Sequence, residues 1–524
     1  MLRKSLAQIF LLLERKLDAI FTPKWNPLYQ LGALGFFYYW VVAVTGIYVY
    51  IFFDTGTHDA YESVEYLTHE QWYLGGIMRS LHRYASDCMA LMMIVHMLRE
   101  FAFDRLKGPR AFTWVTGIPI AGFVVISGIS GYWLIWDRLA QYIAVATTEW
   151  LDWLGIFGVP IARNFLTPDS LDGRFFTLLM FIHIVVPLIL LLVLWIHLQR
   201  ITKPAINPNR WLAAGTFLML LVLSVVEPAM SQAPADLSTV PTDLKIDWFY
   251  LAIYPLMDVL SNAWVWALVT CVTIVLTILP WLPPRWKEQP AVVHLESCNG
   301  CQRCENDCPY NAILMRPRSD GLSFDREPVV NPSLCVSCGI CAGACPTSTP
   351  FRRKSELVPG IELPGHTMEN LRDHLLAAEL PKEAPRIMVL GCHHGAKIEP
   401  DWNAQVAMRT EPCVAAIPPS FIDFVLSRDV ADGVVITGCG DGSCQERYGT
   451  EWMEARIAGQ RDPNLRNRVP REKIRVVWAS SQDQGKLKQA VETLAAELVV
   501  HGGNSENSVS AGDIQADNEG EGNA

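Results

Sequence analysis

The sequence predicts an α-helical transmembrane bundle of about six spans joined to a soluble, cysteine-rich half. Three observations predict it. Long apolar runs and most of the 18 tryptophans fall before about residue 283. Beyond that point the chain reads as soluble protein, yet it carries 12 of the 14 cysteines. Within that half, strand-like apolar runs are each followed by helix-like sequence, the pattern of packed α/β layers.

At 524 residues the chain has room for two to four domains. Its net charge of −10 owes much to residues 502–524, an acidic Gly/Ser/Asn-rich tail expected to be disordered. Lys and Arg form no long basic stripe, which argues against nucleic-acid binding. No cleavable signal is expected. The opening MLRKSLAQIFLLLERKLDAIF is broken by Glu14, Arg15, Lys16 and Asp18 and reads as an amphipathic surface helix.

Segments at about 34–53, 77–98, 114–136, 175–198, 211–227 and 263–282 have the length of a span. A further stretch, Trp248 to Met257, is too short to cross and is expected at an interface. Positive charge sorts the loops by side. Arg3, Lys4, Arg15, Lys16 and Lys24 precede the first span. Arg99, Arg105, Lys107 and Arg110 follow the second, and Arg200, Lys203 and Arg210 follow the fourth. The loop from Asp54 to Trp72 has no Lys or Arg. Six spans with the N-terminus inside return the chain to the inside at Arg285 and Lys287, so the cysteine-rich half is expected to be cytoplasmic.

Ionisable side chains within spans are costly and tend to be functional. The second span carries His82 and His96 and the fourth His183 and His197, each pair 14 residues apart. Over that interval a helix returns to within about 40° and rises about 21 Å. The two spans run in the same direction, so His82 meets His183 at one level and His96 meets His197 at another. Two imidazoles from opposite sides at each level suit bis-His ligation of a heme iron, giving two hemes at two depths. Gly32 and Gly46 on the first span, and Gly117 and Gly131 on the third, repeat the same interval and leave backbone room beside a flat macrocycle.

RSLHRYASDCMALMMIVHMLRE and PRAFTWVTG…GYWLIWD resemble the second helix, and the segment leading through the third, of cytochrome b from quinol–cytochrome c and quinol–plastocyanin oxidoreductases. The resemblance covers about residues 20–283. It implies two b hemes, with His82/His183 on the low-potential one and His96/His197 on the high-potential one. It also implies Arg79 and Arg99 as partners of heme propionates, for which a guanidinium is suited. DLSTVPTDLKIDWFYLAIYPL resembles the family's quinol-site loop, whose hallmark is Pro-Glu-Trp-Tyr; here the counterpart is Ile246-Asp247-Trp248-Phe249. Asp247 then stands as the catalytic carboxylate of a quinol site, one methylene shorter. The chain departs from the family at Thr177, where an Arg is common, and at Ile135, where a Pro is.

The soluble half opens with Cys298-x2-Cys301-x2-Cys304-x3-Cys308-Pro309 and repeats the run as Cys335-x2-Cys338-x2-Cys341-x3-Cys345-Pro346. This is the two-cluster bacterial ferredoxin pattern, in which the fourth cysteine of each run serves the other cluster. One [4Fe–4S] cluster is expected on Cys298, Cys301, Cys304 and Cys345, the other on Cys335, Cys338, Cys341 and Cys308. Zinc sites pair cysteines in twos and fit the spacing worse.

RIMVLGC, DGVVITGC and IRVVWAS read as buried strands of a small parallel α/β domain. Cys392, Cys413, Cys439 and Cys444 lie in it, the first and third just past strand ends, where such folds place their sites. Four thiolates there suit a [2Fe–2S] cluster, with zinc or structural cysteines as alternatives. GVVITGCGDGSCQERYG resembles the delta subunit of methyl-viologen-reducing hydrogenase over about residues 386–498. That resemblance implies a [2Fe–2S] protein passing electrons to flavoproteins.

The expected domains are a diheme four-helix region (1–204), a cytochrome b C-terminal-like region with two spans and the quinol-site loop (205–287), and a two-[4Fe–4S] ferredoxin domain (288–350). A linker (351–385), the α/β iron–sulfur domain (386–501) and the tail follow. The expected function is electron transfer between the quinone pool and a cytosolic flavoprotein using FAD and NAD(P)H, as a redox subunit rather than a self-contained enzyme. Membrane lipid, a Rieske protein, a c-type cytochrome and a dimeric complex are the expected company. The alternative is an anchor and electron conduit for a hydrogenase or heterodisulfide-reductase-like complex. No Cys-x-x-Cys-His, Rieske or dinucleotide-binding motif occurs in the chain.

Overall fold

The computed structural model describes residues 2–165, 171, 173–199, 204–247, 250–282, 289–352, 356–378, 380, 385–398, 402 and 405–509. Trp248, Phe249, Arg200, Lys203, Arg285, Lys287 and residues 510–524, on which some expectations fall, lie outside the described residues. The chain divides into two units, Met1–Arg285 and Trp286–Ala524.

The first unit is helical. Helix α1 (Leu2–Phe21) is followed by α2 (Leu31–Phe52), α3 (Asp59–His69), α4 (Ile77–Ala102), α5 (Ala111–Ile135), α6 (Arg138–Asp152), α7 (Gly173–Leu198), α8 (Arg210–Val226), α9 (Tyr254–Val259) and α10 (Asn262–Ile278). Helix α2 packs along α4, and α5 along α7. Among the described residues, four helical stretches are long and apolar enough to cross a membrane: Pro27–Phe52, Gly108–Ile135, Gly173–Leu198 and Asn262–Trp281. Of the other two expected spans, α4 has 26 residues but carries Arg79, Arg83, Asp87, Arg99 and Glu100, and α8 has only 17 residues.

Each end of this unit is assembled from particular contacts. At one end α1 buries Phe10 and Glu14. Phe10 packs on Phe103, and Arg3 pairs with Asp104 at 2.6 Å. At the other end, Asp137 caps α6 by accepting from Ala140 N and also takes Gln232 N at 2.8 Å. Gln141 Nε2 donates to the carbonyls of Asp236 and Thr239, so α6 holds the stretch leading to Asp247. Helices α3 and α6 were not singled out from the sequence; their apolar faces are short and sit in loops between spans.

The second unit begins with β1 (Val292–Val293), α11 (Arg303–Asp307), β2 (Ile313–Pro317), β3 (Arg326–Val330) and α12 (Ile340–Ala344). Strands β2 and β3 form an antiparallel hairpin. The segment read as a linker is folded where described, which corrects that boundary. Its strand β4 (Ile361–Glu362) pairs antiparallel with β1. Its helix α13 (Met368–Leu376), capped by Thr367 Oγ1 on Asn370 N, buries Met368, Leu371 and Leu375, an i, i+3, i+7 stripe. Charge and proline around that stripe masked it.

The α/β portion contains β5 (Ile387–Cys392), β6 (Val406–Glu411), α14 (Pro419–Ser427), β7 (Gly433–Gly438), α15 (Gly449–Ile457), β8 (Ile474–Trp478) and α16 (Gln484–Val509). The four strands form one parallel sheet ordered β6-β5-β7-β8. Every residue of β5 and β7 is buried, as central parallel strands require. Phe421, Ile422 and Val425 of α14 cover one face, and Leu487, Val491 and Leu494 of α16 the other. Helix α16 continues to Val509, eight residues into the expected disordered tail, because KLKQAVETLAAELVV carries its hydrogen-bond ladder onward.

Candidate functional site

In the helical unit, α4 and α7 supply the histidines and α2 and α5 the glycines. His82 and His183 face each other with ring centroids 6.3 Å apart. His96 and His197 are close enough to interact electrostatically. Each imidazole lies against one glycine of the helix packed beside it. A Cβ added at Gly46 would stand 2.8 Å from His82 Cε1, and one at Gly131 3.0 Å from His183 Cε1. At Gly32 and Gly117 the corresponding distances to His96 and His197 are both 3.7 Å. Gly46 and Gly131 therefore make room for the imidazoles themselves, whereas Gly32 and Gly117 would meet them at ordinary contact distance.

The residue before three of these glycines was missed from the sequence. Thr45 Oγ1 lies 3.3 Å from His82 Nδ1, Ser130 Oγ 3.0 Å from His183 Nδ1, and Thr116 Oγ1 3.0 Å from His197 Nδ1. The Val42 carbonyl also meets His82 Nδ1, at 2.9 Å. Engaging Nδ1 orients the ring and leaves Nε2 for a metal. Leu31, before Gly32, offers no hydroxyl. A Ser/Thr-Gly pair recurring every 14 residues on the third span was the available signal.

These residues fit heme iron. Two metal–nitrogen bonds of about 2 Å, with each ring centre about 1 Å beyond its nitrogen, set facing imidazoles roughly 6 Å apart. Arg79 and Arg99 are buried and engaged with protein groups. Arg79 donates to Thr68 and, at 2.7 Å, to Ser231 Oγ. Arg99 pairs with Glu14 at 2.8 Å, both side chains nearly inaccessible. The Asp247 side chain is buried, taking Arg83 Nη2 at 2.6 Å and the Tyr132 hydroxyl; Arg83 also pairs with Asp87.

In the soluble unit Cys304, Cys341 and Cys345 share one buried cluster, with Cys308 and Cys335 packed against it. Cys304 senses the charges of Cys345, Cys301 and Cys298. Cys341 of one set is buried in the same cluster as Cys304 and Cys345 of the other, so the two sets are neighbours. Backbone N–H groups point at the sulfurs, Gly300 N to Cys298 Sγ at 3.5 Å and Ala312 N to Cys308 Sγ at 3.3 Å. Burial pushes the thiols of Cys304, Cys338 and Cys341 up, a cost that iron offsets by binding them as thiolates.

Cys392, Cys413 and Cys439 lie at the C-terminal edge of the parallel sheet, with Cys444 in the loop that follows. Cys392 Sγ and Cys439 Sγ are 3.7 Å apart. Cys444 hydrogen-bonds Cys413 and Cys439, and those contacts hold its thiol well below the ordinary range. Gly449 opens α15 against this group: a Cβ there would collide with Cys413 Sγ and lie 3.3 Å from Cys444 Sγ. Among the described residues, no three His, Cys, Asp or Glu side chains close on one point as a single-metal site requires. Thiols that bind separate irons of one cluster stand further apart. His393 and His366 meet edge to face, and His366 pairs with Glu411 at 2.8 Å.

Facing imidazoles at two levels of a helical unit rich in apolar spans, followed by clustered thiols, define a membrane electron-transfer protein. Residues 17–205 match the family model for cytochrome b/b6/petB. Residues 297–349 match the 4Fe-4S dicluster domain, and residues 399–500 the delta subunit of methyl-viologen-reducing hydrogenase. The chain therefore carries a cytochrome b segment, an iron–sulfur segment and a hydrogenase-delta-like segment, in the order read from the sequence. Cytochrome b implies heme b, and the second match implies iron–sulfur clusters. A solved chain described as "Hyperthermophilic respiratory Complex III" is similar at 19% identity over 48% of this chain and 75% of that one, with a TM-score of 0.40.

Proposed function

We propose that this chain carries electrons between the quinone pool and a soluble flavoprotein, as the cytochrome b subunit of a larger membrane complex. Two b hemes would be held by His82/His183 and His96/His197, [4Fe–4S] clusters by the two crossed cysteine sets, and a [2Fe–2S] cluster by Cys392, Cys413, Cys439 and Cys444. Bound there, these groups supply one-electron redox chemistry. The residues of the chain fix their positions. Thr45, Ser130 and Thr116 engage Nδ1 of three imidazoles, which would leave Nε2 for the iron. The apolar walls of α2, α5 and α7 exclude water.

Two facing levels of histidine on α4 and α7 carry this reading. They also support α4 as a span, since it must run alongside α7 for the full 14-residue interval between its histidines. Adding α8 gives six spans. The positive stretches at α1 and residues 99–110 meet through Arg3–Asp104 and Arg99–Glu14, which supports one shared, cytoplasmic side for them.

Asp247 is the proton acceptor in this proposal. Its Oδ2 receives Arg83 and Tyr132, so taking a proton there requires part of that pairing to be released. The match to a hydrogenase delta subunit favours a second reading, in which the soluble unit docks a hydrogenase-type or heterodisulfide-reductase-like partner.

The test is pyridine hemochrome and iron analysis on the intact chain in native-like membranes, followed by addition of quinol. The proposal expects two protohemes per chain and reduction of their absorbance bands by quinol. Fewer protohemes in fully loaded protein, or bands that respond to dithionite and never to quinol, would overturn it.

A further inference from the structure

Between the ferredoxin-like portion and the α/β portion lies a dry, ion-paired seam within the second unit. Asp307, one residue before Cys308, is almost wholly buried. It receives Arg456 Nη2 at 2.6 Å and Arg461 Nε at 2.9 Å. Arg456 is completely buried and also donates to the Ala415 carbonyl at 2.7 Å. Arg461 lies 3.6 Å over the Trp452 ring. Tyr310 donates to Glu446, two residues after Cys444, at 2.8 Å. Gly343 of α12 sits so close to the Ala415 carbonyl that a Cβ would collide with it.

What this seam brings together is specific. Ile340, Cys413, Ala415 and Trp452 form one buried cluster, with Cys338 and Tyr448 packed against it. Cys338 belongs to the second cysteine set and Cys413 to the four-cysteine group. Among the described residues, no first-set cysteine belongs to that cluster.

We infer that the second cysteine set, through Cys338, is the electron port to the four-cysteine site through Cys413, and that Asp307, Arg456 and Arg461 are positioning residues that lock the two portions into one relay. The inference rests on the proposed iron–sulfur occupancy of all three cysteine sets. An exchange across the seam oxidises one side by one electron and reduces the other by one, with no proton moved. Burial makes the lock strong in one direction: removing one partner strands a buried charge, whereas an exposed pair would give way cheaply.

The test uses the full chain, loaded with iron and reduced by dithionite, and reads low-temperature EPR. The inference expects the four-cysteine signal to be split or relaxation-broadened by its neighbour. Cys338→Ser should abolish that broadening, whereas Cys301→Ser, in the first set, should leave it in place. Arg456→Met should weaken the broadening at unchanged iron content, and Arg456→Lys should restore most of it. If Arg456→Met fails to fold, Arg461→Ala, at the partly exposed edge of the lock, provides the same comparison. Broadening that survives Cys338→Ser and disappears in Cys301→Ser overturns the assignment. Iron missing from the four-cysteine site in otherwise loaded protein sinks the occupancy reading instead, a result separable from a present but unbroadened signal, which defeats only the relay.

Discussion

At Gly46 an added methyl would stand 2.8 Å from His82 Cε1, while at Gly32 it would stand 3.7 Å from His96 Cε1, an ordinary contact. Overpacking of this kind costs about 1–3 kcal/mol and is relieved here only by moving the imidazole off its axis. Gly46→Ala is therefore expected to lower protoheme content toward one per chain, and Gly32→Ala to keep two, by pyridine hemochrome on purified protein. Equal losses from both would break the link between glycine spacing and ring position. Asp247 carries a different expectation. Asp247→Asn keeps the shape but removes the charge facing Arg83, so quinol-dependent reduction should fall by tenfold or more, taking about 1.4 kcal/mol per decade, while heme content stays the same. Undiminished quinol activity would make Asp247 an anchor for the loop. At this scale the four histidines and four glycines were legible because a fixed interval on a helix fixes height and face. The Nδ1 partners were not, because a Thr or Ser in a span usually bonds its own helix, as Thr45 also does to the Val41 carbonyl. Arg79 and Arg99 were read as partners of heme propionates; their protein partners, Ser231 and Glu14, lie 152 and 85 residues away and left no local signal.

Elements rest on such side chains at their ends. Arg386, just before β5, donates from Nε to Asp432 at 3.1 Å and from Nη2 at 2.9 Å, and its carbonyl accepts Gly433 N at the start of β7. The two central strands are thus fastened side by side where they begin. The hydrogen bonds from Arg386 hold the Asp432 carboxyl below its usual range. A carboxylate depressed on folding contributes stability that is complete above its unfolded value, about 3.9, and is lost as pH falls through the lower folded value. Asp432→Asn should accordingly lower denaturant stability of the soluble unit by about 0.2–1 kcal/mol at neutral pH, with the two proteins converging below about pH 4. A gap that persists in acid would place the effect elsewhere than in this ion pair. Strands β5, β7 and β8 were readable from their apolar runs. Strand β6 escaped because VAMRTE, at the sheet edge, has only three apolar residues before Arg, Thr and Glu and is mostly half-buried. Helix α4 tests the apolar-run criterion from the other side: its charges pair with neighbours rather than with water, Arg83 with Asp247 and Arg99 with Glu14.

Across the whole chain, charge distribution and helix parity bear on the same question, which side of the membrane holds the clustered thiols. Four apolar helices or six both return the chain to the side from which it started, so the proposed sidedness does not depend on α4 and α8 together. The loop from Asp54 to Trp72 lacks Lys and Arg, whereas α1 and the connection after α4 are rich in them. Those two positive stretches touch one another, through Arg3 with Asp104 and Phe10 with Phe103. The Asp54 loop meets a different set of segments, Thr55 with Thr177 and Tyr61 with Gln232. On the topology proposed above, positive-inside sorting would set α1 and the soluble unit in the cytoplasm and Thr57 outside. An epitope tag inserted at Thr57 should be reached by antibody on intact spheroplasts, and one at Ser323 only after permeabilisation. Both positions are exposed, so failure to bind would reflect the membrane rather than packing. Both tags being reached from the same side would require an odd number of crossings, so that one of α4 and α8 does not traverse the bilayer. If that helix were α4, the two levels of facing histidines would lose the geometry that heme ligation needs.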